Sequence, residues 1–125
     1  MTKILVVDDR PEVRELLGKT LSRSGYEILA AEDGREALSV ARHERPDLIL
    51  MDIVMPGPLS GTEATRILKS DPETKSCKIM ILTGKDSAAE EAANAGADVC
   101  FAKPFSPLEL LRTLDELLDQ RSLDG

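Results

Sequence analysis

Apolar residues gather in short runs along the chain, Lys3 to Val7, Tyr26 to Ala31, Asp47 to Met51, Lys78 to Leu82 and Asp98 to Phe101. Their length and bounding turn residues predict five strands. Between them apolar residues recur at helical spacing. Val13, Leu16, Leu17 and Leu21 predict a first helix, with Pro11 where a first turn tolerates a missing N–H and Gly25 as its stop. The second opens at Asp33-Gly34, carries Ala37, Leu38 and Ala41, and ends before Pro46. The third starts near Gly61, carries Ala64, Ile67 and Leu68, and stops at Asp71-Pro72, because a residue before proline disfavours the helical region. A fourth runs from Ser87 to Ala95 and is nearly all Ala and Glu. The fifth follows Ser106-Pro107, its stripe of Leu108, Leu111, Leu114 and Leu118 widened by Leu110 and Leu117.

Strand and helix alternate throughout, which predicts an α/β fold. Its form is one doubly wound, five-stranded parallel sheet with right-handed crossovers and helices on both faces. The runs Ile4 to Val7 and Leu48 to Met51 are continuously apolar, as strands buried on both faces should be. With 125 residues and no linker, repeat or low-complexity stretch, the expectation is a single domain over 1–125. In such sheets ligands bind beyond the carboxyl ends of the strands.

Composition narrows the function. Acids outnumber bases 23 to 16, a formal charge of -7, which argues against a protein that holds nucleic acid by neutralising phosphates. No apolar run approaches the roughly 20 residues of a membrane span, and the polar Lys3 and acidic Asp8 leave export unsupported. Two cysteines, Cys77 and Cys100, make neither a disulfide framework nor a zinc spacing, so a reducing cytoplasm is expected. Without Trp, and with one Tyr and two Phe, the core must be built from Leu, Ile, Val and Ala.

Following each strand to its end gives Asp8 and Asp9 after the first, Asp52 after the third, Thr83 after the fourth and Lys103 after the fifth. Three carboxylates on one rim repel one another unless a cation compensates. All the candidate ligands are hard oxygens, which selects Mg²⁺ or Mn²⁺ over zinc or copper. A lysine and a threonine facing such a metal supply a charge and a donor for a phosphoryl group in transfer. Asp52, with no adjacent acid, is then the candidate nucleophile. Taken singly, each residue also has a plain reading: helix caps for Asp8, Asp9 and Thr83, a turn residue for Asp52, a solvated loop charge for Lys103. The combination points to chemistry.

These residues, in the stretches Ile4 to Asp9, Asp47 to Pro56, Ile81 to Gly84, Gly96-Ala97 and Lys103-Pro104-Phe105, closely resemble those of response-regulator receiver domains of two-component signalling. The resemblance spans residues 3 to 120. It implies a flavodoxin-like sheet in the order 2-1-3-4-5. It also implies a signalling module, not an enzyme, that takes a phosphoryl group onto Asp52 from a sensor histidine kinase or histidine phosphotransfer protein. By the same resemblance Asp9, Asp52 and the carbonyl of Val54 bind the metal, Asp8 holds a metal-bound water, Lys103 grips the phosphoryl group, Thr83 reports its arrival, and Lys103-Pro104 is a cis peptide. The output is a surface for a downstream protein or for self-association. No DNA-binding or catalytic segment is read after Asp119, so either a stand-alone shuttle or a receiver cut from a longer chain is expected.

The sequence departs from the family in places. Cys100 stands where an aromatic lever is common, three residues before the lysine; we expect a small buried filler there, not a redox sensor, and place Phe101 on the opposite face. Gly61 lies nine positions after Asp52 where eight is usual, a loop one residue longer. Gly84 replaces a frequent Ala, freeing the backbone. Val54 and Lys85 flank the expected path of hydrolytic water; valine cannot orient it, which predicts a long-lived acyl phosphate. His43, among Arg42, Glu44 and Arg45, reads as an exposed neighbour of charges. The fourth helix has little apolar mass and is expected to be the loosest, with Glu90 and Glu91 solvated. Two rival functions are a phosphatase, which would want an acid at Val54, and a receiver-shaped interaction module that is never phosphorylated.

Overall fold

The computed structural model describes residues 2–55, 57–84, 86–103 and 106–124, without the side chains of 86–89 and 120–124. Chain order is β1 (Lys3–Val7), α1 (Pro11–Arg23), β2 (Glu27–Ala31), α2 (Gly34–Glu44), β3 (Leu48–Asp52), α3 (Gly61–Ser70), β4 (Lys78–Thr83), α4 (Asp86–Asn94), β5 (Val99–Ala102) and α5 (Pro107–Asp124). The strands form one sheet in the order β2-β1-β3-β4-β5, with every pairing parallel. This is the doubly wound, flavodoxin-like arrangement expected.

Period-two alternation divides the core. Leu5, Val7, Ile49, Met51, Ile79 and Ile81 face one side with Ala37, Ala41, Ala64, Leu68 and Ala92 of α2, α3 and α4. Ile4, Val6, Leu48, Leu50, Met80 and Leu82 face the other with Leu17, Leu21, Leu110, Leu114 and Leu117 of α1 and α5. Each fully buried Val, Leu, Ile or Met among them is worth about 1.5–3 kcal/mol, so the absence of tryptophan does not starve the core. Phe101 packs on the α1/α5 side and Cys100 on the other, as their alternation along β5 requires. The Tyr26 hydroxyl donates to Asp115, joining the entry to β2 to α5.

Strand boundaries shift toward the carboxyl end. β2, β3 and β5 begin one residue later than the apolar runs, and β3, β4 and β5 end one residue later. The late starts of β3 and β5 have a polar cause: the Asp47 carboxylate accepts the Lys3 N–H at 2.8 Å, and Asp98 accepts the Ile79 N–H at 2.8 Å. Both acids thus cap a neighbouring strand instead of joining one. The late ends come from pairing, because Asp52 aligns with Leu82 and Thr83 with Ala102. That one-residue extension carries Asp52 and Thr83 on rigid ladder positions, not on loops.

Between β3 and α3 the longer loop closes on itself. The Gly61 N–H donates to the Ile53 carbonyl at 2.9 Å. A capping box then starts α3, with the Ser60 hydroxyl accepting from the Glu63 N–H at 3.1 Å and the Glu63 carboxylate accepting from the Ser60 N–H at 3.4 Å. The Ser60-x-x-Glu63 signature is legible in the sequence. It anchors the helix whatever the loop length before it.

Candidate phosphoryl-accepting cleft

At the carboxyl edge Asp52 closes β3 and is 6% exposed, Asp8 follows β1 at 1%, and Thr83 closes β4 at 3%. Asp9 is exposed. Lys103 follows β5, and its N–H donates to the Thr83 carbonyl at 2.7 Å, continuing the β4–β5 ladder one residue past its end. The ladder therefore aims the lysine side chain along the sheet edge. Its Nζ lies 2.7 Å from Asp52 Oδ2, a charge-assisted contact at the short end of its range. The other carboxylate oxygen, Oδ1, accepts the Val54 N–H at 3.2 Å. The Val54 side chain projects outward, 76% exposed.

Asp9, Asp52, Val54, Thr83 and Lys103 line one cleft of about 620 Å³, together with Arg10, Ser60, Thr62 and Glu91. A slightly larger depression of about 660 Å³ lies on α1 and β2, between Lys19, Arg23, Tyr26 and Ile28. Its charged residues, Glu15, Lys19, Arg23 and Glu27, are all exposed, whereas the strand-end cleft holds the buried Asp52 and Thr83, so the chemistry belongs to the strand-end cleft. Of the expected site residues only Asp8 is off the cleft wall.

Sequence reasoning passed over Arg10. Its guanidinium makes a two-point contact with Asp8, Nε to Oδ1 at 3.2 Å and Nη2 to Oδ2 at 3.3 Å. The same Nη2 reaches Asp52 Oδ2 at 3.4 Å. A cation directly after an acid pair was the available signal. Burial works to raise the Asp8 pKa, but the side-chain and backbone hydrogen bonds from Arg10, with the charges of Arg10 and Lys103, outweigh it and hold the carboxyl below its ordinary 3.8. The hydrogen bond to Asp8 in turn raises the Arg10 pKa. Both groups are charged across the physiological range.

Among the described residues no three His, Cys, Asp or Glu side chains form a ready-made metal cage. The wall carries the carboxylates of Asp9, Asp52 and Glu91 and the hydroxyls of Ser60, Thr62 and Thr83, an all-oxygen set that suits a hard cation taking one or two carboxylates and keeping several waters. Burial raises the Cys100 pKa, which favours the inert thiol over a reactive thiolate. His43 is exposed on α2, its Nδ1 2.9 Å from the Ser39 carbonyl. Glu90 and Glu91 are exposed on α4. Lys85 and the Lys103-Pro104 peptide bond lie outside the described residues. No helix among the described residues is long and apolar enough to cross a membrane.

A doubly wound sheet with acids, a threonine and a lysine at its carboxyl edge defines a class of phosphoryl-handling modules, and comparison with known proteins narrows it. Residues 4–115 match the response regulator receiver domain. The chain is 40% identical to protein PilH of Pseudomonas aeruginosa over 120 residues, 94% of this chain and 98% of PilH. It is 43% identical to response regulator MprA of Mycolicibacterium vanbaalenii over 124 residues, 98% of this chain but only 52% of MprA. Among solved structures, the receiver domain of sensor histidine kinase PA1611 from Pseudomonas aeruginosa superposes with a TM-score of 0.86 at 32% identity, covering 94% of this chain and 98% of that one; it carries a magnesium ion in its active site cleft. The chain belongs to the response regulator receiver domain family, whose members serve phosphorylation-based two-component signalling with histidine kinases and output domains.

Proposed function

We propose that this chain is one receiver unit in which Asp52 accepts a phosphoryl group from the phosphohistidine of a sensor histidine kinase or histidine phosphotransfer protein, with Mg²⁺ or Mn²⁺ as cofactor. The observation that carries the reading is Lys103 Nζ at 2.7 Å from Asp52 Oδ2, in a cleft whose wall also holds Asp9, Val54 and Thr83. Asp9, Asp52 and the Val54 carbonyl would hold the metal, with Asp8 holding one of its waters. A bound divalent cation supplies neutralisation of charge on the transferring group.

The chain's own residues do the rest. An Asp52 carboxylate oxygen forms a bond to phosphorus as the phosphorus–nitrogen bond to the donor imidazole breaks, and that electron pair stays on the ring nitrogen. The Val54 N–H on Oδ1 fixes the carboxylate plane for in-line attack. Lys103, already against the nucleophile, passes from the carboxylate to the phosphoryl oxygens, and Thr83 donates its hydroxyl. The acyl phosphate brings more negative charge to the rim, and its pairing with Thr83 and Lys103 favours a minor arrangement of α4 and β5. That arrangement is the signal read by an output protein or a second copy. Cytoplasmic residence and the absence of direct nucleic-acid contact belong to the same reading, resting on cysteine usage and the charge of -7.

Acetyl phosphate with MgCl₂ should add one phosphoryl group by intact-mass spectrometry, and Asp52→Asn or EDTA should abolish it. A labelled Asp52→Asn protein would move the acceptor elsewhere. No label on the wild type would favour a pure interaction module.

A further inference from the structure

Arg10 occupies an unusual position. Its guanidinium touches two buried carboxylates, Asp8 and Asp52, whose side chains are 1% and 8% exposed, while its own is 47% exposed. Asp52 Oδ2 therefore carries two cations, Lys103 at 2.7 Å and Arg10 at 3.4 Å. Asp8, Asp9 and Asp52 against Arg10 and Lys103 leave the cluster one net negative charge. Without Arg10 it would carry two. An arginine fork suits this bridging role because it can serve two acids in fixed geometry while being more weakly hydrated than an ammonium.

We propose that Arg10 is a built-in counter-cation that competes with the divalent metal for Asp52, and with the metal's bound water for Asp8, and so sets how much Mg²⁺ the switch needs before it can be charged with phosphate. The arginine has a way out, because nearly half of its side chain already meets water. Asp8 keeps its orientation when the guanidinium leaves, since the Arg10 backbone N–H donates to its Oδ1 at 2.9 Å, and Arg14 Nη1 donates to its carbonyl at 2.7 Å. The side chain can thus be exchanged for a metal without unmaking the site. Arg10 is a positioning residue in this scheme, acting on the nucleophile and not on the phosphoryl group.

The inference rests on the magnesium-dependent reading of the cleft, and one experiment separates the two. Metal-free wild type, Arg10→Ala and Arg10→Gln are titrated with MgCl₂ by calorimetry, with Mn²⁺ electron paramagnetic resonance as a second readout, and melted with and without saturating Mg²⁺. Removing a unit charge this close to the acids should tighten divalent binding by about tenfold or more at low ionic strength. Both variants should melt lower than wild type without metal and gain more from Mg²⁺. Arg10→Lys should fall between. Equal affinities in wild type and variants would overturn the role of Arg10 and leave the cleft reading intact. If no variant binds Mg²⁺ or Mn²⁺, both fall.

Discussion

Gly61→Ala isolates how closely α3 is drawn against the strand that carries the nucleophile. A Cβ at Gly61 would lie 2.3 Å from the Asp52 carbonyl oxygen, 2.8 Å from Ile53 Cα and 3.1 Å from the Asp52 carbonyl carbon. Ordinary contact begins at 3.4 Å, so the start of α3 must retreat by about 1 Å in an interior packed as densely as a crystal. The obstructing atoms are backbone, and the Gly61 N–H is itself bonded to the Ile53 carbonyl at 2.9 Å. No side-chain rotation relieves the clash. Overpacking costs about 1–3 kcal/mol, and the backbone on both sides puts this site at the upper end. Alanine returns at most ~1 kcal/mol of helix propensity. The net loss is about 2 kcal/mol, or roughly 6–10 °C in Tm for a domain of this size. Urea and thermal melts followed by far-UV circular dichroism measure it, and acetyl phosphate labelling should slow because the Asp52 backbone is displaced. Gly84→Ala is the matched control: a Cβ there meets nothing within 4 Å, so its effect should stay within about 0.5 kcal/mol. A Gly61→Ala protein no less stable than Gly84→Ala would refute the reasoning.

Two further expectations address other parts of the molecule. Burial and the hydrogen bond to Asp115 raise the Tyr26 pKa above its ordinary 10.0. A phenol whose folded-state pKa is raised contributes stability that is whole below pH 10.0 and lost as pH climbs through the folded value. Because the chain has one Tyr and no Trp, tyrosinate absorbance reports this group alone. Its native midpoint should exceed 10.0, and Tyr26→Phe should flatten the alkaline fall in stability while costing about 1–2 kcal/mol near neutrality; a native midpoint at the ordinary value would remove the contact from the account. Val54→Asn places a group able to orient water at the mouth of the cleft. Loss of label from the phosphorylated protein should quicken by about tenfold, near 1.4 kcal/mol, and an unchanged decay would mean that the valine side chain does not govern phosphate lifetime.

Much of the molecule was legible because its signals are local. Helix and strand periods differ, so the alternation along the chain predicted the elements, and the continuous apolar runs at Ile4 to Val7 and Leu48 to Met51 marked the central strands. Cys100 and Phe101 had to face opposite ways on any strand, and they pack on opposite faces. The rim residues Asp8, Asp52, Thr83 and Lys103 were visible because each follows or ends an apolar run, and a parallel sheet brings such ends to one edge.

Tertiary structure alone decided the rest. Whether Asp47 and Asp98 extend a strand or cap its neighbour depends on which backbone N–H another strand leaves unpaired. The length of the ladder that holds Asp52 and Thr83 depends on their partners Leu82 and Ala102. The bridging place of Arg10 had no local signature beyond its position after two acids. Its fork meets Asp52 across 42 positions of chain, and charges that distant in sequence become neighbours only when β1 and β3 pair side by side. Patterning is a property of consecutive residues, whereas electrostatic partnership is a property of distance in space.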